Sequence, residues 1–198
     1  MGEAKRRGTR EQRVAQAHQK YAKTSIDLPN MQGHFIRDLA SLGARFLVIG
    51  GKAMQAVGIE RETFDVDIWV ARDEETVERV FSTLRRVCGA PEVFRDRLRN
   101  PNVRVPIPNE QSPEIDILTS IGDLSFDEIH REASGIAWQS LVLRVPSIGD
   151  LIRIKEVAIT STEARIAAGE WNAAGIENAR RGIARDQQDI DLLRQLQV

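Results

Sequence analysis

Past Pro29 the apolar residues Met31, Phe35, Ile36, Leu39 and Leu42 recur at helical spacing, and Gly43 stands where a left-handed cap closes a helix. The run Phe46-Leu47-Val48-Ile49 has no polar member and ends at Gly50-Gly51, which predicts a buried strand, a tight turn and a short helix over 52–57. From Phe64 to Val70 apolar and other residues alternate with period two, a second strand. Asp73 then caps a helix whose inner face is Val77, Val80, Phe81, Leu84 and Val87. The pattern weakens from Pro91 to Pro113, although 102–107 alternates and 109–113 has turn chemistry before Glu114-Ile115-Asp116-Ile117-Leu118. An antiparallel pair is expected there. One further strand is predicted over 136–145, after which Pro146-Ser147 opens a helix through Leu151, Ile152, Ile154, Lys155 and Val157. Residues 160–184, dense in alanine, glycine and arginine, predict a loosely packed helical insertion before a final helix of Ile190, Leu193 and Leu196. No internal repeat and no second core show in the pattern.

Interleaved strands and helices in a chain of 198 residues, 41% hydrophobic and 29% charged, predict one α/β (α+β) domain. Its parts are a basic N-terminal arm (1–26), a core (27–159) and a C-terminal helical segment (160–198) packed on that core. Seven basic against two acidic residues in 1–23 give the arm a local charge of about +5. The net charge of the whole chain is only −1, which excludes a surface built throughout for a phosphate backbone, so any nucleic-acid contact is local. Cys88 has no second cysteine to pair with, and His18, His34 and His130 are too scattered to build a zinc site with it. A charged start without an apolar h-region, and the lack of any run of eighteen apolar residues, predict a cytoplasmic protein with no membrane partner.

The chemistry concentrates in three aspartates. On a strand, side chains at i and i+2 share a face, so Asp65 and Asp67 project together while Val66 and Ile68 turn inward. At about 4 Å and an effective dielectric of about 20, two such charges repel by roughly 4 kcal/mol, which favours a cation between them. All-oxygen ligands select Mg2+ or Mn2+. Asp189-Ile190-Asp191 repeats the spacing in a helical pattern, where the two side chains diverge by about 200° and do not chelate as a unit. Asp116, between Ile115 and Ile117, is the natural third carboxylate, since an acid inside an apolar strand is costly unless neutralised; Glu114 shares its face and competes. At Gly50-Gly51 missing side chains let phosphate approach backbone N–H groups at a helix start, and Lys52 adds a positive charge.

The apolar strand, Gly50-Gly51, the thirteen residues 52–64, Asp65-Val66-Asp67-Ile68 and the later strand with Asp116 together resemble the signature of the DNA polymerase beta-like nucleotidyltransferase superfamily. Arg61-Glu62-Thr63-Phe64 looks like its small bacterial branch, which includes abortive-infection and toxin-type enzymes, and the stretches 146–155 and 185–190 look like that branch's C-terminal helices. The resemblance implies a mixed sheet flanked by helices, with C-terminal helices. It also implies an enzyme that transfers a nucleoside monophosphate from a nucleoside triphosphate to a hydroxyl of RNA or protein, as a toxin–antitoxin or phage-defence component with an antitoxin protein as partner. By resemblance Asp65 and Asp67 ligate two metal ions, Asp116 holds the catalytic metal and helps deprotonate the acceptor, and Lys155 reaches the triphosphate. Lys52 departs from the pattern, which places serine after the glycines. A catalytically silent binding member and an antibiotic adenylyltransferase are the alternatives.

The remaining candidates are weaker. His34 and His130 fall in helical stretches with no nucleophile motif nearby and are expected to be packing or surface residues. Trp69 and Trp138 fall on strands as core or rim residues, and Trp171 lies in the insertion. Arg97, Arg99 and Arg104 either line the cleft or are solvated strand-edge charges, the second being favoured.

Overall fold

The computed structural model describes residue 28, residues 30–107 and residues 115–197; the basic arm, the 109–113 turn and Glu114 lie outside them. Along the described chain run α1 (Asn30–Ser41), β1 (Phe46–Ile49), α2 (Gly50–Ala56), β2 (Val66–Val70), α3 (Glu74–Cys88), α4 (Val93–Arg99), β3 (Arg104–Ile107) and β4 (Ile115–Leu118). Then follow α5 (Phe126–Glu132), β5 (Ser134–Trp138), β6 (Leu141–Val145), α6 (Ile148–Ala167) and α7 (Ala173–Gln195). The helices begin and end where local chemistry dictates. Asp73 accepts a hydrogen bond from the Thr76 backbone N–H, Glu74 and Glu75 occupy the first turn of α3, and Gly89 closes it at φ 65°. Ser125, Ser147 and Asn172 cap α5, α6 and α7 in the same way.

Four strands form one sheet in the order β1-β2-β4-β3. β2 pairs with β4 in parallel, and both outer pairs are antiparallel, so the sheet is mixed and the expected antiparallel pair is β3 with β4. Alternation divides it into two faces. Val48, Val66, Ile68, Val70, Val105, Ile107, Ile115 and Ile117 turn to the larger core, against α1, α3 and the end of α7. Leu47, Ile49 and Trp69 turn to the other face, where Ile129 of α5 and Ile154 of α6 cover them. The pattern of the sequence suggests one core; the structure has two apolar clusters, because helices cover the sheet on both faces. All four residues of β1 are buried, as a strand without polar members requires.

Two expectations are corrected. The predicted single strand over 136–145 is a hairpin: β5 and β6 pair antiparallel, with Trp138 opposite Leu141 and Gln139 at φ 51° in the two-residue turn. Neither Asn nor Gly marks this turn, so the apolar run conceals it. The stretch 160–184 is also no insertion. It is the far half of α6, a short turn and the near half of α7, an antiparallel helical hairpin whose buried residues cluster at its base: Leu151, Ile152, Ile154 and Lys155 on α6, Asp189, Ile190 and Leu193 on α7. The boundary expected at 159/160 therefore falls inside one continuous helix. No helix among the described residues is long and apolar enough to cross a membrane.

Candidate active site

Asp67 and Asp116 are direct neighbours across the parallel β2–β4 pair, and Asp65 precedes Asp67 by two residues on the same side. One oxygen from each lies within 4.8 Å of the others. They descend from rim to interior: Asp65 is partly open, and Asp116 is fully buried at 0% exposure. Ile49 pairs with Asp67 across β1–β2, so the turn after β1 passes over the Asp67 carboxylate. There Gly50 adopts φ 62°, and a Cβ on it would sit 1.9 Å from Asp67 Oδ2. A Cβ on Gly51 would sit 2.5 Å from the hydroxyl of Thr63. That hydroxyl donates to Asp65 Oδ1 at 2.5 Å. The two glycines are thus required by the close approach of Asp67 and Thr63, a role the sequence reading, which assigned them to phosphate, did not contain.

Three carboxylates gathered this closely resist ionisation together. Burial first, then the charges of Asp65 and Asp116, push Asp67 up from 3.8 to about 7, against the opposing pull of Arg104 and Lys155. Arg104 on β3 is the principal counter-charge: its Nε donates to Asp116 Oδ1 at 2.8 Å and its Nη2 to Oδ2. The register brings them together, since Arg104 opposes Leu118 and Pro106 opposes Asp116, so Arg104 reaches Asp116 diagonally on one face. Of the two readings of Arg104, a solvated edge charge and a cleft residue, the geometry supports contact with the site. The donor set suits a hard divalent cation: oxygen ligands at about 2.1–2.6 Å from one ion lie up to about 4.2–5.2 Å apart, and these carboxylate oxygens already fall in that range.

Asp65 and Asp67 line a cleft of about 760 Å³ between the 58–65 connector and α7, with Asp116 buried behind them. The connector is anchored along its length. Gln55 Nε2 donates to the Arg61 carbonyl at 2.7 Å, Gln32 Nε2 donates to the Phe64 carbonyl at 2.7 Å, and Arg61 Nη1 donates to Asp189 Oδ2 at 2.6 Å. Lys155, expected by resemblance to reach the triphosphate, lines the cleft with its ammonium engaged at the wall, 2.8 Å from Asp186 Oδ1 and 2.5 Å from Asp189 Oδ2. Gly50 and Gly51 line it too. Lys52 does not; it is buried in α2 at 3% exposure, because a residue two places along a helix points about 200° away from Gly50.

The helical pair Asp189/Asp191 diverges as its spacing requires: Asp189 is buried and Asp191 exposed. Asp189 nonetheless holds both Arg61 and Lys155, a role the sequence reading missed. The signal was present, since 186, 189, 190 and 193 follow helical spacing and place two acids on the stripe of Ile190 and Leu193. Arg99 is spent on Glu74, Glu78 and Asp96, and Arg97 on the Arg104 carbonyl, away from the carboxylates. His34 is exposed and shares a hydrogen bond with Arg37. His130 stacks on Phe126, its protonation disfavoured first by burial and then by Arg45 and Arg144. Trp69 and Trp138 are core residues, and Trp171 packs beneath the Arg165 guanidinium. A scan against protein-family models finds no match to the chain, and a search of curated proteins finds none either.

Proposed function

We propose that this chain is a metal-dependent nucleotidyltransferase with a polymerase beta-like fold, which moves a nucleoside monophosphate from a nucleoside triphosphate to a hydroxyl of RNA or protein. The observation that carries the reading is the convergence of three carboxylate oxygens within 4.8 Å at two adjacent parallel strands, beneath a glycine turn, with Asp65 and Asp67 facing a cleft. Asp65, Asp67 and Asp116 are the residues that would hold Mg2+ or Mn2+. When bound, such ions supply neutralising charge to the triphosphate and to the attacking and leaving oxygens.

The chain's own residues position the reaction. Arg104 fixes the plane of Asp116 by two hydrogen bonds, and Thr63 fixes Asp65 by one. Gly50 and Gly51 keep that edge of the cleft free of side chains. Arg61 and Lys155 line the wall but are balanced by Asp186 and Asp189, so the net positive charge for a polyanionic substrate would come from the bound metal. The acceptor oxygen attacks the α-phosphorus, the bond from that phosphorus to the bridging oxygen breaks, pyrophosphate leaves, and the hydroxyl proton passes to a carboxylate oxygen of the triad. A role in a toxin–antitoxin or phage-defence pair rests on the sequence resemblance alone.

A second reading, a member of the fold that binds nucleotide without turnover, is favoured by one observation: Arg104 occupies both oxygens of Asp116. The two separate in one assay. Purified protein is incubated with each α-labelled triphosphate, Mg2+ or Mn2+, and an extract of RNA and protein, beside the Asp65→Asn, Asp67→Asn double variant. Label entering a macromolecule with the wild type alone supports transfer. Absence of transfer with every triphosphate refutes it, and nucleotide binding that persists in that case favours the silent member.

A further inference from the structure

Phe64 is the most exposed large hydrophobic side chain among the described residues, at 75%, and it lines the cleft one residue before Asp65. Scattered exposed apolar residues need no explanation, but three features set this one apart. Its position is fixed on both sides: Gln32, itself fully buried, donates to its carbonyl, and the neighbouring Thr63 and Asp65 are bonded to each other. It lines the cleft together with Asp65 and Asp67. Across that cleft, α7 presents Arg185 and Gln188, neither of whose side chains has a hydrogen bond or ion pair among the described residues.

We propose that Phe64 is the stacking platform for the nucleobase of the triphosphate, in a subsite that Arg185 and Gln188 close from α7. The inference rests on the nucleotidyltransferase reading and adds the residue that binds the non-reacting half of the substrate. The match is chemical. A nucleotide has a flat π-face, a polar edge and an anionic tail; the cleft offers an exposed aromatic ring on an anchored backbone, a carboxamide and a guanidinium for the edge, and a cation-favouring carboxylate set for the tail. A cleft of about 760 Å³ is of the size that takes a ligand of this class. A purely apolar ligand would gain only one ring and would bury the unpaired Arg185 and Gln188 at a cost.

The experiment measures binding of each nucleoside triphosphate, and of inorganic tripolyphosphate, to the whole chain with Mg2+ by calorimetry. Phe64→Ala is expected to weaken nucleotide affinity about 5- to 150-fold, the equivalent of ~1–3 kcal/mol of base–aromatic stacking, and to leave tripolyphosphate affinity within about twofold. Phe64→Leu, which keeps an apolar side chain without a π-face, is expected to lose most of the same affinity, and Phe64→Trp to retain it. Because the ring is exposed, melting temperatures of all three variants should match the wild type. Equal nucleotide affinity for wild type and Phe64→Ala overturns the proposal while leaving the transferase reading intact. So does a loss confined to an RNA acceptor, with free triphosphate unaffected. A wild type that binds neither nucleotide nor tripolyphosphate overturns both.

Discussion

Replacing Asp67 by asparagine should stabilise the cation-free protein at alkaline pH, the reverse of what removing a buried hydrogen-bonding group usually does. The folded chain holds the Asp67 proton up to about pH 7, whereas an unfolded chain releases it near 3.8. Between those values folding takes up a proton, so stability falls as pH rises through the window and levels off above about 7. The full shift corresponds to about 4 kcal/mol, a ceiling, because Asp65 at the rim can swing toward solvent and relieve part of the repulsion. Asparagine is nearly isosteric and uncharged, so it removes that penalty. For a chain of this size 1 kcal/mol moves Tm by about 2–4 °C, so Asp67→Asn should melt on the order of 10 °C higher than wild type at pH 8 in EDTA and close to it at pH 4. Thermal unfolding followed by circular dichroism at both pH values, with EDTA and then with Mg2+, is the assay. Mg2+ should raise the wild-type Tm at pH 8 and move the variant far less, since the cation meets the same unsatisfied charge that the substitution removes. A variant that melts below wild type at pH 8 in EDTA, or a wild type indifferent to both pH and Mg2+, would refute the electrostatic account of the triad.

Other consequences can be measured alongside. Arg104→Ala leaves the buried Asp116 without its exposed counter-charge, so it should cost about 1–3 kcal/mol in EDTA by urea unfolding, most of it recovered with Mg2+. Gly50→Ala strains a left-handed residue and displaces the Asp67 carboxylate; a misplacement of that order is expected to lower metal-dependent transfer about 100-fold, read from initial rates of label incorporation. Asp189→Asn strips Arg61 of its partner and leaves Lys155 with Asp186 alone, and should destabilise by about 3 kcal/mol, seen as a lower urea midpoint at unchanged slope.

Much of the fold was legible because the local rules agreed with one another. The uninterrupted apolar β1, the alternation through β2, the Asp73 cap of α3, and the Ser147 start of α6 each followed from residues close in sequence. Where local signals conflicted or were silent, the reading failed. The β5–β6 turn lacks the residues that usually announce a hairpin, and the alanine-rich middle of α6 and α7 lacks a strong apolar stripe because most of it faces solvent. The pairing of Asp65 with Asp67 was readable from period two alone, and their isolation from the helical Asp189/Asp191 pair from period 3.6.

The sequence by itself determined which residues share a face, the capped starts of α3 and α6, and that Asp65, Asp67 and Asp116 carry charge into apolar surroundings, since all of these depend on periodicity and nearest neighbours. Only the tertiary structure decided the register that sets Asp67 beside Asp116 and brings Arg104 onto both oxygens of Asp116. It alone turned Lys52 inward, set Gly50 against Asp67, and joined Lys155 and Arg61 through Asp189, a residue 128 positions from Arg61. Those contacts depend on strand pairing and helix docking across long stretches of chain, and no local pattern encodes the distance between residues that meet only when the core closes.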